Sequence, residues 1–345
     1  MGATLKPEQI SLVTNYLASN FPPKAKSNLP TIAGATQANF KEFKLPTRAF
    51  PHDPYAAPDG SIWYSGQLGN VLGRVDPKTG QVKDYPLPSG SGPHGLMGDK
   101  DGNIWFTGNF AGYVGKLDPK TGKVTQYQTP GARDPHSLVF DPNGILWFTA
   151  QSANQVGRLD PKTGALKEYT YPQTRPGGYS DGNLDLEFDK EGNIWLGMMN
   201  QTGAAKFDRK TEKFTFFPIP KEMLDDETQT AMVAPVNSHV DGKAWINSAE
   251  KPVVSRFDIA TGKYEGWIAP FKDRPKGEAH SAYGVYTDSK NNAYLMDFPS
   301  QYVWKIDAKT GAVSGPVRDL SDALGRKLGV PVNITPLGGV PPILE

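Results

Sequence analysis

The chain has no cysteine among its 345 residues. Disulfides, thiolate zinc sites, iron–sulfur clusters and Cys-x-x-Cys-His haem attachment are thereby excluded. It also lacks charge of one sign: 37 basic against 36 acidic side chains leave a net +1. With no Lys/Arg run either, nucleic acid and anionic membrane surfaces are not expected as main partners. No apolar run approaches about 18 residues, so no segment is expected to span a membrane. The N-terminus, Met1-Gly2-Ala3-Thr4-Leu5-Lys6, has no apolar h-region, so no signal peptide is visible, and Lys6 breaks the myristoylation pattern that Met1-Gly2 would open. Helix signals are scarce as well. Residues 7–20 form the one good candidate, with Pro7 in the first turn and Ile10, Val13 and Leu17 on one face, stopped by Phe21-Pro22-Pro23.

What is present is a repeat. Residues 93–130 read Pro-His-Gly, Asp-Gly-Asn, Ile-Trp-Phe-Thr, Asp-Pro-Lys-Thr-Gly and Tyr-x-x-Pro in turn, and the same frame occurs before and after it. The histidines fall at 52, 94 and 136 and the glycines at 80, 122 and 164, a constant interval of 42 residues. Each unit holds four short runs rich in Val, Ile, Trp, Phe, Tyr and Thr, closed by Gly, Asp, Asn or Pro. These are strand and turn signals. Asp-Gly-Asn supplies the glycine that a tight hairpin needs, and Asp-Pro-Lys-Thr-Gly opens on a proline and closes on a glycine as turns do. Four strands in roughly 40–50 residues make one propeller blade. The fold class is therefore all-β, a β-propeller of four-stranded blades with one N-terminal helix. Residues 1–38 are the helix and a Pro/Ala/Ser linker, and 39–345 the propeller.

Three units run 47–88, 89–130 and 131–172, and three longer ones run about 173–220, 221–270 and 271–319. Phe40–Pro46 matches an outer fourth strand with no first three before it, the device by which a propeller closes its ring. With fragments from 320–345 it predicts a thin seventh blade; six blades and a tail are the alternative.

The histidines share one phase at the entry to the innermost strand, which a propeller converts into a ring at the mouth of the channel. Asp181, Asn183, Asp185, Glu278 and His280 fall near the same level, and Tyr179 and Tyr283 have access to the channel face. Imidazoles and carboxylates on one funnel suit a divalent ion or an anionic ligand. The five tryptophans at 63, 105, 147, 195 and 245 share a second-strand position and belong to the core.

With Pro-His-Gly, Asn-Ile-Trp-Phe-Thr, Val-Gly-Lys/Arg-Leu-Asp and the Tyr-x-x-Pro endings, residues 39–312 resemble the virginiamycin B (streptogramin) lyase family of seven-bladed propellers. Gluconolactonase-like (SMP-30-like) propellers are a looser second match. The resemblance implies a carbon–oxygen lyase that opens a cyclic depsipeptide at its ester by β-elimination, with a histidine base and a divalent ion, magnesium first and Ca²⁺, Mn²⁺ or Zn²⁺ also admitted. Glu278-Ala279-His280 resembles the family's Glu-x-His pair, and Asp297 stands where a following Glu would be. Tyr283-Gly284 replaces the family's His-Gly, and Ala234 stands at the expected partner histidine.

The candidate catalytic groups are thus His280, His94 and Tyr283. The candidate metal ligands are His52, His94, His136, Glu278 and Asp297, and the candidate substrate contacts are Tyr179, Asp181, Asn183 and Asp185. The expected reaction is metal-assisted cleavage of a small-molecule ester or lactone by a lyase or a hydrolase. The alternative is a non-catalytic binding module of an extracytoplasmic protein. Residues 5–23 resemble the last helix of small c-type cytochrome domains, which suggests a cytochrome-like partner or domain, with no haem in this chain itself. By resemblance the protein is periplasmic or secreted.

Overall fold

The computed structural model describes residue 11 and residues 42–46, 48–173, 182–200, 202–270, 281–297 and 302–314. Apart from Ser11, the predicted N-terminal helix lies outside the described residues, as do Tyr179, Asp181, Glu278, His280 and the segment 315–345.

Among the described residues, six antiparallel sheets follow one another along the chain. The first holds β1 (Pro51–Ala56), β2 (Ile62–Gly66), β3 (Val71–Val75) and β4 (Val82–Pro86), and the second β5 (Pro93–Gly98), β6 (Ile104–Gly108), β7 (Tyr113–Leu117) and β8 (Val124–Gln128). The third comprises β9 (Pro135–Phe140), β10 (Leu146–Ala150), β11 (Gln155–Leu159) and β12 (Leu166–Thr170). The fourth comprises β13 (Leu186–Phe188), β14 (Ile194–Gly197), β15 (Gly203–Asp208) and β16 (Lys213–Pro218). The fifth has β17 (Val233–Ala234), β18 (Lys243–Ser248) and β19 (Val253–Asp258); the sixth has β20 (Ala282–Thr287), β21 (Ala293–Asp297), β22 (Tyr302–Ile306) and β23 (Val313–Ser314). Each sheet is an up-and-down meander in chain order. In the fifth, the outer strand is reduced to two bridges, Phe257 with Tyr264 and Val254 with Ile268. The inner strands β1, β5, β9, β13, β17 and β20 touch in that order, so the sheets stand as blades about one axis.

The repeat motifs explain the blades. In the turn before β6, Asp99 accepts the backbone N–H groups of Asp101 and Asn103 with one oxygen, and the Asn103 amide and Trp105 indole N–H with the other. Gly102 there has φ +83°, which only glycine adopts without strain. Asp189 holds Asn193 and Trp195 in the same way. The Asp-x-x-Gly-Asn-x-Trp spelling is thus a turn whose carboxylate also satisfies a buried indole. The larger core clusters each lie between two blades. Trp147 and Val156, for example, pack with Leu186, Ile194, Leu196 and Phe207 of the next blade. The tryptophan in each of the first four blades stacks on an aromatic of its own outer strand, as Trp63 does on Tyr85 at 5.3 Å.

A second pairing is written into the repeat. Tyr64, Phe106 and Phe148 sit opposite Gly73, Gly115 and Gly157, and their rings cover the glycines. Where blades four and five carry Leu196 and Ile246 instead, the opposite residues are Ala205 and Ser255. A methyl added to Gly157 would lie 1.9 Å from Phe148 Cζ, in a core position with no exposed area. Gly157→Ala is expected to destabilise the protein by about 1–3 kcal/mol through overpacking. Adding Phe148→Leu, which rebuilds the blade-four pair, should restore part of the loss in denaturant melts. A double mutant no more stable than Gly157→Ala would refute the ring-over-glycine account.

Phe43 and Leu45 pack on Ala49, Tyr64, Val71 and Val75 of blade one. A side chain at Gly80 would meet Phe43, just as one at Gly164 would meet Tyr127 and one at Gly262 Phe217. Phe43 therefore holds the position of an outer-strand aromatic preceding blade one, although residues 42–46 form no strand among the described residues.

Candidate functional site

The site is built by a ladder of side-chain hydroxyl and amide groups on the second strands. Ser65, Thr107 and Thr149 accept the N–H of Asp53, Gly95 and Ser137, each one residue after a histidine of the repeat. Thr107 and Thr149 in turn donate to carbonyls of the next blade, those of His136 and Leu184. In blade five Asn247 does both: it accepts from Met232 N–H at 2.7 Å and donates to Tyr283 O at 3.0 Å. These tethers fix the start of each inner strand against its neighbour.

They also correct one alignment. The spacing from Trp245 puts Ala234 at the histidine phase, but Ala234 pairs with Trp245 in the ladder, as Val139 does with Trp147. The residue in the histidine phase is Ala231, because the 3-10 turn Ser238–Val240 lengthens the connection that follows. The ring at this level is therefore His52, His94, His136, Leu184, Ala231 and Tyr283.

The three imidazoles form a column. The ring centroids of His52 and His94 are 3.9 Å apart, and those of His94 and His136 3.7 Å. His52 Nδ1 is 2.8 Å from Asp53 Oδ1, and His94 Nδ1 is 3.4 Å from Asp53 Oδ2. The second contact is too long for a good hydrogen bond, and His94 Nδ1 is buried with no hydrogen-bond partner. Burial alone would raise the Asp53 carboxyl. The hydrogen bond from His52 and the facing His94 outweigh it and hold Asp53 well below the usual carboxylate range. Burial, and then the neighbouring His94, push His136 down to about 3, so it is neutral at physiological pH. Its Nδ1 lies 3.2 Å from Ser137 Oγ.

The column walls a cavity of about 390 Å³. His52, His94, His136, Leu184 and Tyr283 of the ring line it, together with Gln151, Met199, Gln229, Ala249, Glu250 and Ser281. All six sheets contribute, so the cavity lies on the propeller axis. Deeper along the inner strands are two carboxylates. Asp185 accepts the Leu186 N–H, yet burial, together with the charge of Asp53, pushes it up to about 6. Burial, then the Asp185 charge, push Glu187 up to about 8. The Tyr283 phenol is raised by burial and by the Asp53 and Asp185 charges, so it keeps its proton.

The candidates read from sequence are thus separated. His52, His94, His136 and Tyr283 share the cavity, with Asp185 beside it. Asn183 has no exposed area; its amide oxygen accepts from Tyr171, which places it in the packing between strands. Asp297 has none either and accepts the Ser281 N–H at 3.2 Å. Among the described residues the group whose ligand atoms lie within 4.8 Å of one another is His52, Asp53 and His94, without His136 or Asp297. Gln151, Gln229, Glu250, Ser281 and Glu187 had no sequence signal beyond repeat phase, which placed Gln151 and Ala249 at the same distance after their tryptophans.

A family model described as the virginiamycin B lyase family matches residues 31–204, about half of the chain. Among solved structures, virginiamycin B lyase from Staphylococcus aureus is 17% identical and covers 79% of this chain and 86% of its own, with a TM-score of 0.63. A streptogramin B lyase structure is 19% identical over 80% of this chain and 86% of its own, again at 0.63. The extracellular domain of a hybrid two component system of B. thetaiotaomicron is 17% identical over 77% of this chain and 36% of its own, at 0.56. No protein of curated function matches at the sequence level. At these identities the structural likeness establishes the fold and leaves chemistry to the site. The family match, the repeated blades and the shared propeller fold together make this chain a member of the virginiamycin B lyase family.

Proposed function

We propose that the protein is an enzyme of small-molecule ester or lactone chemistry, a carbon–oxygen lyase before a hydrolase, working in the axial cavity. The observation that supports this most is the cavity itself. Its volume of about 390 Å³ suits a small molecule, and titratable and amide side chains converge on it from five of the six described blades, the fourth adding Leu184 and Met199. Elimination requires a base for the proton α to a carbonyl and a donor for the departing oxygen. The base is assigned to His280 by the family pattern; it precedes Ser281, which lines the cavity. Tyr283, which keeps its proton, is the donor. Gln151 and Gln229 offer both amide donors and acceptors to orient the ester.

The resemblance implies a divalent ion, which when bound supplies Lewis-acid polarisation of the carbonyl. Magnesium takes oxygen ligands. Of the ligands expected for it, Asp297 is buried and already accepts a backbone N–H, and the converging group among the described residues is rich in nitrogen. Those described residues do not make a magnesium site, and Glu278 lies outside the described residues. A periplasmic or secreted location is part of the reading, supported by the likeness to an extracellular domain. No described helix is long and apolar enough to cross a membrane.

The test is turnover of lactones and cyclic depsipeptides in ¹⁸O-water, followed by mass spectrometry. Elimination should give an unsaturated product with no solvent oxygen, whereas hydrolysis would add one. A folded protein that turns over no member of the panel would remove the enzyme reading and leave a binding module.

A further inference from the structure

We propose that His52, Asp53 and His94 form a two-histidine, one-carboxylate site for a divalent transition-metal ion of the zinc, cobalt or iron(II) class. The site lies on the first two blades, at the entries of β1 and β5, away from the positions in the sixth blade to which the family resemblance assigns a metal. It does not depend on the ester reading, since an ion can be held without turnover.

The geometry is that of ligands around a common point. Each imidazole faces a different oxygen of one carboxylate, at 2.8 and 3.4 Å, and the ligand atoms of all three residues lie within 4.8 Å of one another. Ligand atoms about 2.0–2.2 Å from a metal, at angles between octahedral and tetrahedral, stand about 3.0–3.5 Å apart. The second observation is His94. Its side chain is 7% exposed, and its Nδ1 is buried beside Asp53 with no hydrogen-bond partner. A buried ring nitrogen left in this way is costly, and an ion between it and Asp53 would satisfy it.

The surroundings support the ligands. Asp53 is anchored by its backbone N–H, which donates to Ser65 Oγ at 3.0 Å. His136 closes the far side of His94 at 3.7 Å between ring centroids, with its own Nδ1 turned to Ser137. On the near side His52 and Asp53 are each 37% exposed, and the axial cavity adjoins His52 and His94. Three protein ligands with the remaining coordination positions open toward a cavity is the arrangement of a reactive rather than a structural metal. Two imidazoles and one carboxylate select borderline transition ions, while magnesium prefers oxygen throughout.

The experiment uses the full chain, stripped with chelator and titrated calorimetrically with Zn²⁺, Co²⁺ and Mg²⁺, with the visible spectrum of Co²⁺ recorded in parallel. The expected result is one equivalent of Zn²⁺ or Co²⁺, a ligand-field band, and a Tm rise of about 5 °C or more at saturation. Asp53→Asn and His94→Ala should each weaken Zn²⁺ binding at least about 100-fold, since loss of a group that only orients a ligand already costs about 10–100-fold. His239→Ala, at an exposed histidine outside the site, should not. Asp53→Asn keeps the side-chain shape, so it decides the matter if His94→Ala does not fold. Zn²⁺ that fails to bind, that binds equally well to Asp53→Asn, or that is matched in affinity by Mg²⁺ overturns the proposal.

Discussion

Tyr283→Phe is expected to lower kcat/KM on the ester substrate by about 10²–10⁴-fold, the usual contribution of a positioned acid or base. Tyr283 holds the ring position that is histidine in the first three blades, and it lines the cavity across from them. Burial and the charges of Asp53 and Asp185 disfavour its phenolate, so the hydroxyl is a proton donor throughout the neutral range. The substitution removes that hydroxyl and keeps the ring that fills the cavity wall. Because the phenol titrates above its ordinary value of about 10, activity that depends on it should show no alkaline loss below that pH. Stopped-time assays of both proteins from about pH 6 to about pH 10, the ordinary phenol value, would test this. Equal kcat/KM values would remove Tyr283 from the chemistry.

The second large effect concerns stability. Glu187→Gln is expected to stabilise the protein by about 2–4 kcal/mol at pH 9 and to change little at pH 5, given 1.36 kcal/mol per pKa unit reduced for partial solvent screening. Glu187 lies opposite Trp195 on β13, with Asp185 two residues before it. Burial, then that neighbouring charge, push its carboxyl from 4.5 up to about 8. A folded-state pKa above the unfolded one means that the folded protein holds the proton more tightly. Its contribution is therefore complete below about pH 4.5 and is lost as the pH rises through 8. Asp185, raised to about 6, adds a smaller loss over a lower window, from 3.8 upward. His136 works in the opposite sense. Its pKa falls from 6.5 to about 3, so stability is lost as the pH drops through that interval. The parent should thus be most stable in mildly acidic solution. In the Gln variant the alkaline decline should shrink, as read by chemical denaturation at pH 5, 7 and 9. Parallel declines in both proteins would show that Glu187 is not the group responsible.

Much of the molecule is legible in the sequence. The 42-residue interval, the four apolar runs and the glycine-closed turns determined the blades, because turn chemistry and alternation act over a few residues and recur in each unit. The histidine phase was equally legible: equal phase in a propeller means equal height and equal facing. Even the Phe43 placement followed from comparing Phe40–Pro46 with the later outer strands. In blade five the same method failed by three residues. The Ser238–Val240 turn lengthened the spacing, and only ladder pairing with Trp245 and Ile246 identified Ala231.

The sequence by itself therefore determined the fold class, the repeat frame and the ring of histidines, since each rests on local propensity or on period. The tertiary structure alone decided which polar groups share a space. Asn183, adjacent to the ring in sequence, is turned into packing against Tyr171, whereas Gln229, Glu250 and Ser281 from three separate loops meet the histidines across the axis. The unpartnered His94 nitrogen and the shared Asp53 carboxylate were likewise invisible until two blades were placed side by side. Side-chain convergence across an axis depends on blade-to-blade distance and on rotamers chosen by neighbouring blades. Neither is encoded in any one repeat.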